Sequence, residues 1–128
     1  MTRRFIDKRL FVYGTLKRNR VANHLLTEMD MEFVCEATTP GRLYSLGAYP
    51  VLIPDENGVD VWGELFKIPR KAESQILDRL DQYEGKGYQR QTIPVYILNS
   101  PMFVVAYVLK GPLPSRAKII PGGNWRGA

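Results

Sequence analysis

Two carboxylates stand where they could move a proton. Glu84 lies in Tyr83-Glu84-Gly85, just beyond an apolar helical stripe. A flanking aromatic can keep water from a carboxylate and raise its pKa from ~4.3 toward the ~6–7 useful for proton transfer. A solvated loop glutamate is the plainer reading of the same residue. Glu64 is the rival, sharing a strand face with Trp62 and Phe66. Its setting suits a partly buried, paired carboxylate with a structural role. A third feature is backbone: Val12-Tyr13-Gly14-Thr15-Leu16-Lys17 places a glycine directly after an apolar strand. Glycine there lets the chain turn sharply and lets a ligand approach closely. Successive N–H groups at such a turn can hold an anion, although an ordinary turn has the same pattern.

Other reactive side chains are scarce. His24 is the one histidine and Cys35 the one cysteine, so neither a two-His helical zinc motif nor a disulfide within the chain can form. His24, beside Leu25 on a short helix, reads as a capping or surface residue, and Cys35 as a small strand residue without an adjacent base. There is no Gly-x-Ser-x-Gly elbow and no phosphate loop, which leaves covalent catalysis and nucleotide hydrolysis poorly supported.

The elements that must position these groups follow from periodicity and breakers. Arg9–Tyr13 reads as a strand stopped by Gly14, and Val21–Met29 as a short helix. Phe33–Thr39 and Arg42–Leu46 read as two strands separated by Pro40-Gly41, and Asn57-Gly58 as a hairpin turn. Val59–Ile68 alternates, with Val61 and Leu65 on one face and Phe66 and Ile68 on the other. The spacing of Ala72, Ile76, Leu77 and Leu80 predicts a helix over 70–82, started by Pro69 and stopped by Gly85. Strands follow near Tyr88–Leu98 and Met102–Lys110. Several strands succeed one another without helical crossovers. The expected fold is therefore α+β: a compact, mixed, mostly antiparallel β-barrel with two short helices. Residues 1–128 are expected to form a single domain, with a basic arm at 1–8 and an irregular Pro/Gly-bearing tail at 111–128.

Composition narrows the setting. The 128 residues carry a net charge of +5 and are 45% hydrophobic, enough for a core. The longest apolar run, Met102–Leu109, is eight residues, against the ~20 of a membrane helix. The N-terminus has no apolar signal region, and a cytoplasmic location is expected. A pI near 9.5 permits contact with nucleic acid. Lys86-Gly87-Tyr88 begins like an RNA-binding strand signature, but Gln89-Arg90-Gln91 departs from it. A nucleic-acid partner is disfavoured.

Several segments together resemble the gamma-glutamylcyclotransferase-like (AIG2-like) family. They are Phe11-Val-Tyr-Gly-Thr-Leu-Lys-Arg18, Gly41-Arg-Leu-Tyr44 with Leu46-Gly-Ala-Tyr-Pro50, Val61-Trp-Gly-Glu-Leu-Phe66, Leu80-Asp-Gln-Tyr-Glu-Gly85 with Tyr88-Gln-Arg90, Ala106-Tyr-Val108 and Ile120-Pro-Gly-Gly-Asn-Trp125. The resemblance spans nearly the whole chain. It implies a central cavity and cofactor-free, metal-free cyclisation of a small gamma-glutamyl amine to 5-oxoproline and the free amine. By position it implies Glu84 as general acid/base and Tyr13, Gly14, Thr15 and Leu16 as the substrate-binding loop, with Tyr44, Tyr88 and Tyr107 walling the cavity. A domain that only binds a small ligand or a protein partner on the same scaffold is the alternative expectation.

Overall fold

The computed structural model describes residues 8–127. Of the expected basic arm, residues 1–7 lie outside the described residues. The elements run β1 (Arg9–Val12), α1 (His24–Glu28), β2 (Glu32–Ser45), β3 (Pro50–Pro54) and β4 (Val59–Lys67). A 3-10 turn (Arg70–Ala72) leads into α2 (Glu73–Glu84), followed by β5 (Tyr88–Ile97), β6 (Ser100–Leu109) and β7 (Lys118–Ile119).

Five strands close a barrel in the order β2-β4-β1-β6-β5, with β5 returning to β2 at Thr38 opposite Tyr96. The β1–β6 pair is parallel and the other pairs are antiparallel. Closure gives every barrel strand two neighbours, with β5 meeting β2 through the Thr38–Tyr96 pair. The β4 alternation sorts side chains as expected. Val61 and Leu65 join the barrel interior with Phe11, Leu43 and Ile93, while Phe66 and Ile68 join a second core under the helices with Leu10, Leu26 and Leu80. Gly63 allows the barrel to be filled: a Cβ there would come within 2.5 Å of the Phe11 ring and of the Val12 carbonyl.

Four boundaries differ from expectation. Pro40-Gly41 does not end a strand, because β2 runs through it. The Pro40 carbonyl accepts the Asp55 N–H, so its nitrogen faces the same side, between the β5 bridge at Thr38 and the first β3 pair at Gly41. A missing N–H costs little there. The 55–58 turn is not a hairpin, since β3 and β4 each pair with β2 rather than with one another. The helix begins at Glu73 after the 3-10 turn and extends through Glu84. The tail is not wholly irregular. β7 pairs with Tyr44 and Ser45, Ile120 N–H donates to Leu43 O at 2.8 Å, and Trp125 is buried against the barrel interior.

Candidate active site

The acid is placed by helical periodicity. Ile76, Leu77 and Leu80 are buried on one face of α2, and residues four apart share a face. Glu84 therefore continues the stripe beyond Leu80 and is half-buried, on the last turn of a helix rather than in a loop. Gly85 then leaves the helix at φ 74°, a region open to glycine. Tyr107 pins this end of α2 from below: its hydroxyl donates to Asp81 Oδ1 at 2.5 Å and lies 3.4 Å from Leu77 O.

Glu84 opens into a cavity of about 660 Å³ at one end of the barrel. The turn after β1 lines the same space, with Tyr13, Gly14, Thr15 and Leu16 all among its lining residues. This turn is tightly held. Lys17 N–H donates to Gly14 O at 3.1 Å, Ala22 N–H to Thr15 O at 3.0 Å and Asn23 Nδ2 to Leu16 O at 2.8 Å. These bonds use the carbonyls, while the amides of Thr15 and Leu16 donate to no backbone carbonyl of the described residues. Gly14 is required by packing, since a Cβ would sit 2.8 Å from the Pro50 ring. Pro50 in turn accepts the Tyr88 hydroxyl on its carbonyl at 2.6 Å.

The phenols are anchored rather than free. Tyr13 Oη donates to Tyr107 O at 2.6 Å and accepts Leu52 N–H at 3.1 Å. Thr15 Oγ1 and Tyr83 Oη are 3.3 Å apart, bridging the turn to α2. Burial raises the Glu84 carboxyl from 4.5 to about 7. Tyr13 and Tyr88 are held above the ordinary phenol value, first by burial; Tyr88 and Glu84 add to this at Tyr13, and Glu84 leads the nearby charges at Tyr88. Both stay neutral donors near pH 7, while Glu84 is the group able to take up and release a proton there.

Of the residues expected at the site, Glu84, Tyr13, Gly14, Thr15, Leu16 and Tyr88 share the cavity. Tyr44 and Tyr107 are not among its lining residues. Tyr44 sits half-exposed on β2, its hydroxyl accepting from Arg42 Nη1 at 3.2 Å. Tyr107 acts from beneath α2, and burial and then its bond to Asp81 raise its pKa. Glu64 is structural: it accepts Arg18 N–H at 2.8 Å and Arg18 Nε at 3.3 Å, so it staples the segment after the Gly14–Leu16 turn to β4. His24 is an exposed residue opening α1, and Cys35 is half-buried on β2. Sequence reading missed Tyr49, Pro50, Lys86, Lys110 and Arg116, which also line the cavity. Among the described residues no three His, Cys, Asp or Glu side chains are grouped to hold a metal ion, and no helix is long and apolar enough to cross a membrane.

Comparison with known proteins bears on this site. A family model described as gamma-glutamyl cyclotransferase, AIG2-like, matches residues 10–127. The gamma-glutamylcyclotransferase family protein YtfP of Escherichia coli K12 is 31% identical over 121 residues, covering 91% of this chain and 95% of that protein. Among solved structures, YkqA from Bacillus subtilis superposes with a TM-score of 0.73 at 26% identity, covering 94% of this chain and 40% of the other. An AIG2-like protein from Mus musculus superposes with a TM-score of 0.77 at 22% identity, covering 94% and 88%, and so supports the fold alone.

Proposed function

Because this chain belongs to the AIG2-like gamma-glutamyl cyclotransferase family, we propose that it cyclises a small gamma-glutamyl amine, releasing 5-oxoproline and the free amine, with Glu84 as general acid/base. One observation carries the reading: Glu84, its carboxyl brought to about 7 by burial, lines the same cavity as the Tyr13–Leu16 turn.

The chemistry follows from that pairing. The substrate's α-ammonium is no nucleophile until it loses a proton, and the Glu84 carboxylate accepts it. The freed amine attacks the side-chain amide carbon and closes a five-membered ring. As the C–N bond to the leaving amine breaks, protonated Glu84 returns the proton to that nitrogen. The ring nitrogen sheds its second proton as the lactam forms, and that proton leaves on the departing amine, which comes off as an ammonium; one C–N bond forms, one breaks and both protons are accounted for, so the step as written needs no redox partner. A pKa near working pH suits a group that must act first as base and then as acid.

The reaction is intramolecular, so much of the barrier is removed by holding the glutamyl chain folded. The Thr15 and Leu16 amides are free to grip the α-carboxylate or the developing oxyanion. Tyr88, fixed to Pro50, supplies a rigid wall. Tyr107 is a positioning residue acting through α2, and Tyr44 has no part in this account. The test is Glu84→Gln, which keeps the shape and removes the base. Turnover to 5-oxoproline is expected to fall at least about 10²-fold while substrate still binds; undiminished release would overturn the role.

A further inference from the structure

Among the described residues Lys17 is the one lysine that is buried, with 8% of its surface exposed. Its N–H donates to Gly14 O at 3.1 Å, which closes a four-residue turn with Thr15 and Leu16 at its centre. Its side chain is not among those lining the cavity. The ammonium donates instead to Trp125 O at 3.1 Å and Asn124 Oδ1 at 3.5 Å, far along the chain. Both acceptors are neutral, and among the described residues no carboxylate forms an ion pair with Lys17. Burial, then the nearby Arg20, push its pKa below the ordinary lysine value; Glu64 and Glu36 oppose this, and Arg126 adds to it. A buried charge without a counter-charge is a poor stabiliser, and an apolar side chain of the same length would fill its place at less cost. What the ammonium does that an apolar chain cannot is direct two hydrogen bonds at the tail.

Those acceptors sit on a rigid support. Ile120 N–H donates to Leu43 O and Trp62 N–H to Gly123 O, each at 2.8 Å, and the Trp125 side chain is buried in the barrel interior. The chain leaving the turn is thereby fixed twice, Lys17 to the tail and Arg18 N–H to Glu64 on β4. The Thr15 and Leu16 amides lie between Gly14 and Lys17, so their aim depends on where Lys17 is held. We propose that Lys17 is a positioning residue: tied to Asn124 and Trp125, it aims the Thr15 and Leu16 amides at the substrate and makes residues 120–125 part of the scaffold of the site. This rests on the cyclisation reading above and adds to it the element that sets the turn.

Lys17→Met keeps the length of the side chain and removes its charge and donors. The variant is expected to melt within about 3 °C of the wild type. Its kcat/KM for gamma-glutamyl-alanine is expected to fall at least about tenfold, mainly through KM, because misaimed amides hold substrate and transition state alike less well. The acidic limb of the pH–rate profile stays in place, since Glu84 is untouched. Val104→Ala, a barrel-interior control away from the cavity, is expected to do the reverse, lowering the melting temperature and leaving KM unchanged. An unchanged KM in Lys17→Met, or an equal rise in KM in the control, overturns the proposal. Should Lys17→Met fail to fold, Asn124→Lys decides, since it sets a second ammonium against the first on a half-exposed residue; a KM raised at least about fivefold supports the tie, and an unchanged KM overturns it. If the wild type yields no 5-oxoproline, the cyclisation reading fails, and calorimetric titration of intact gamma-glutamyl-alanine into wild type and Lys17→Met tests the positioning separately. Binding weakened in the variant supports it; equal binding or none overturns it.

Discussion

Replacing Glu84 by Gln separates the cost of burying a carboxylate from its chemistry. Burial lifts this group from 4.5 to about 7. Between those values the folded protein binds a proton that the unfolded chain has released, so stability falls as pH rises through the interval. Below about 4.5 the group is neutral in both states and costs nothing; above about 7 it is charged in both and the full cost is present. At about 1.4 kcal/mol per pH unit, the interval amounts to about 3 kcal/mol. Gln has nearly the same shape and never ionises. Glu84→Gln is therefore expected to match the wild type near pH 4 and to exceed it by about 3 kcal/mol near pH 8.5. Urea unfolding from pH 4 to 9 reads this directly, as a midpoint difference growing to roughly 1–2 M. A difference that is constant with pH, or a wild type more stable than the variant at pH 8.5, would refute the burial argument and with it the tuned acid.

The remaining predictions test how the site is held. Gly14→Ala drives a Cβ to within 2.8 Å of the Pro50 ring; a loss of about 1–3 kcal/mol in urea unfolding is expected, with a fall in kcat/KM as the turn shifts. Tyr107→Phe removes the hydroxyl that holds Asp81, costing about 1–2 kcal/mol. It is also expected to move the acidic limb of the pH–rate profile below 7 as α2 loosens and Glu84 gains water, a change that lost stability alone does not produce. Leu98 is 94% exposed and held at φ 48° in the β5–β6 turn. Leu98→Gly is expected to stabilise by about 1 kcal/mol, read as a raised melting temperature, because glycine adopts this conformation without the side-chain clash.

The fold was legible wherever local pattern and tertiary demand agree. The β4 alternation told which residues face the barrel and which face the helices, and the Ile76, Leu77 and Leu80 stripe told which face of α2 is buried. The same stripe contained the burial of Glu84, four residues beyond Leu80, but a helix assumed to end at Gln82 hid it. Pro40-Gly41 misled for a different reason. Whether a proline interrupts a strand depends on which side its nitrogen faces, and that is decided by partners far along the chain. Of the candidate site, the backbone turn and the acid that share the cavity were legible, because each lies within a short segment. Lys110 and Arg116 reach the cavity only because the tail folds back onto β2, and no local signal marks that. Tyr44 and Tyr107 were expected at the wall from the family resemblance, yet strand register turns one toward Arg42 and the other under α2.

The most direct measurement is the product itself. Wild-type protein and Glu84→Gln, each incubated with gamma-glutamyl-alanine, are followed by mass spectrometry for 5-oxoproline, glutamate and alanine. Equal amounts of 5-oxoproline and alanine from the wild type, with neither from the variant, is the predicted result. Glutamate in place of 5-oxoproline, or an undiminished yield from the variant, would contradict ring closure driven by this acid.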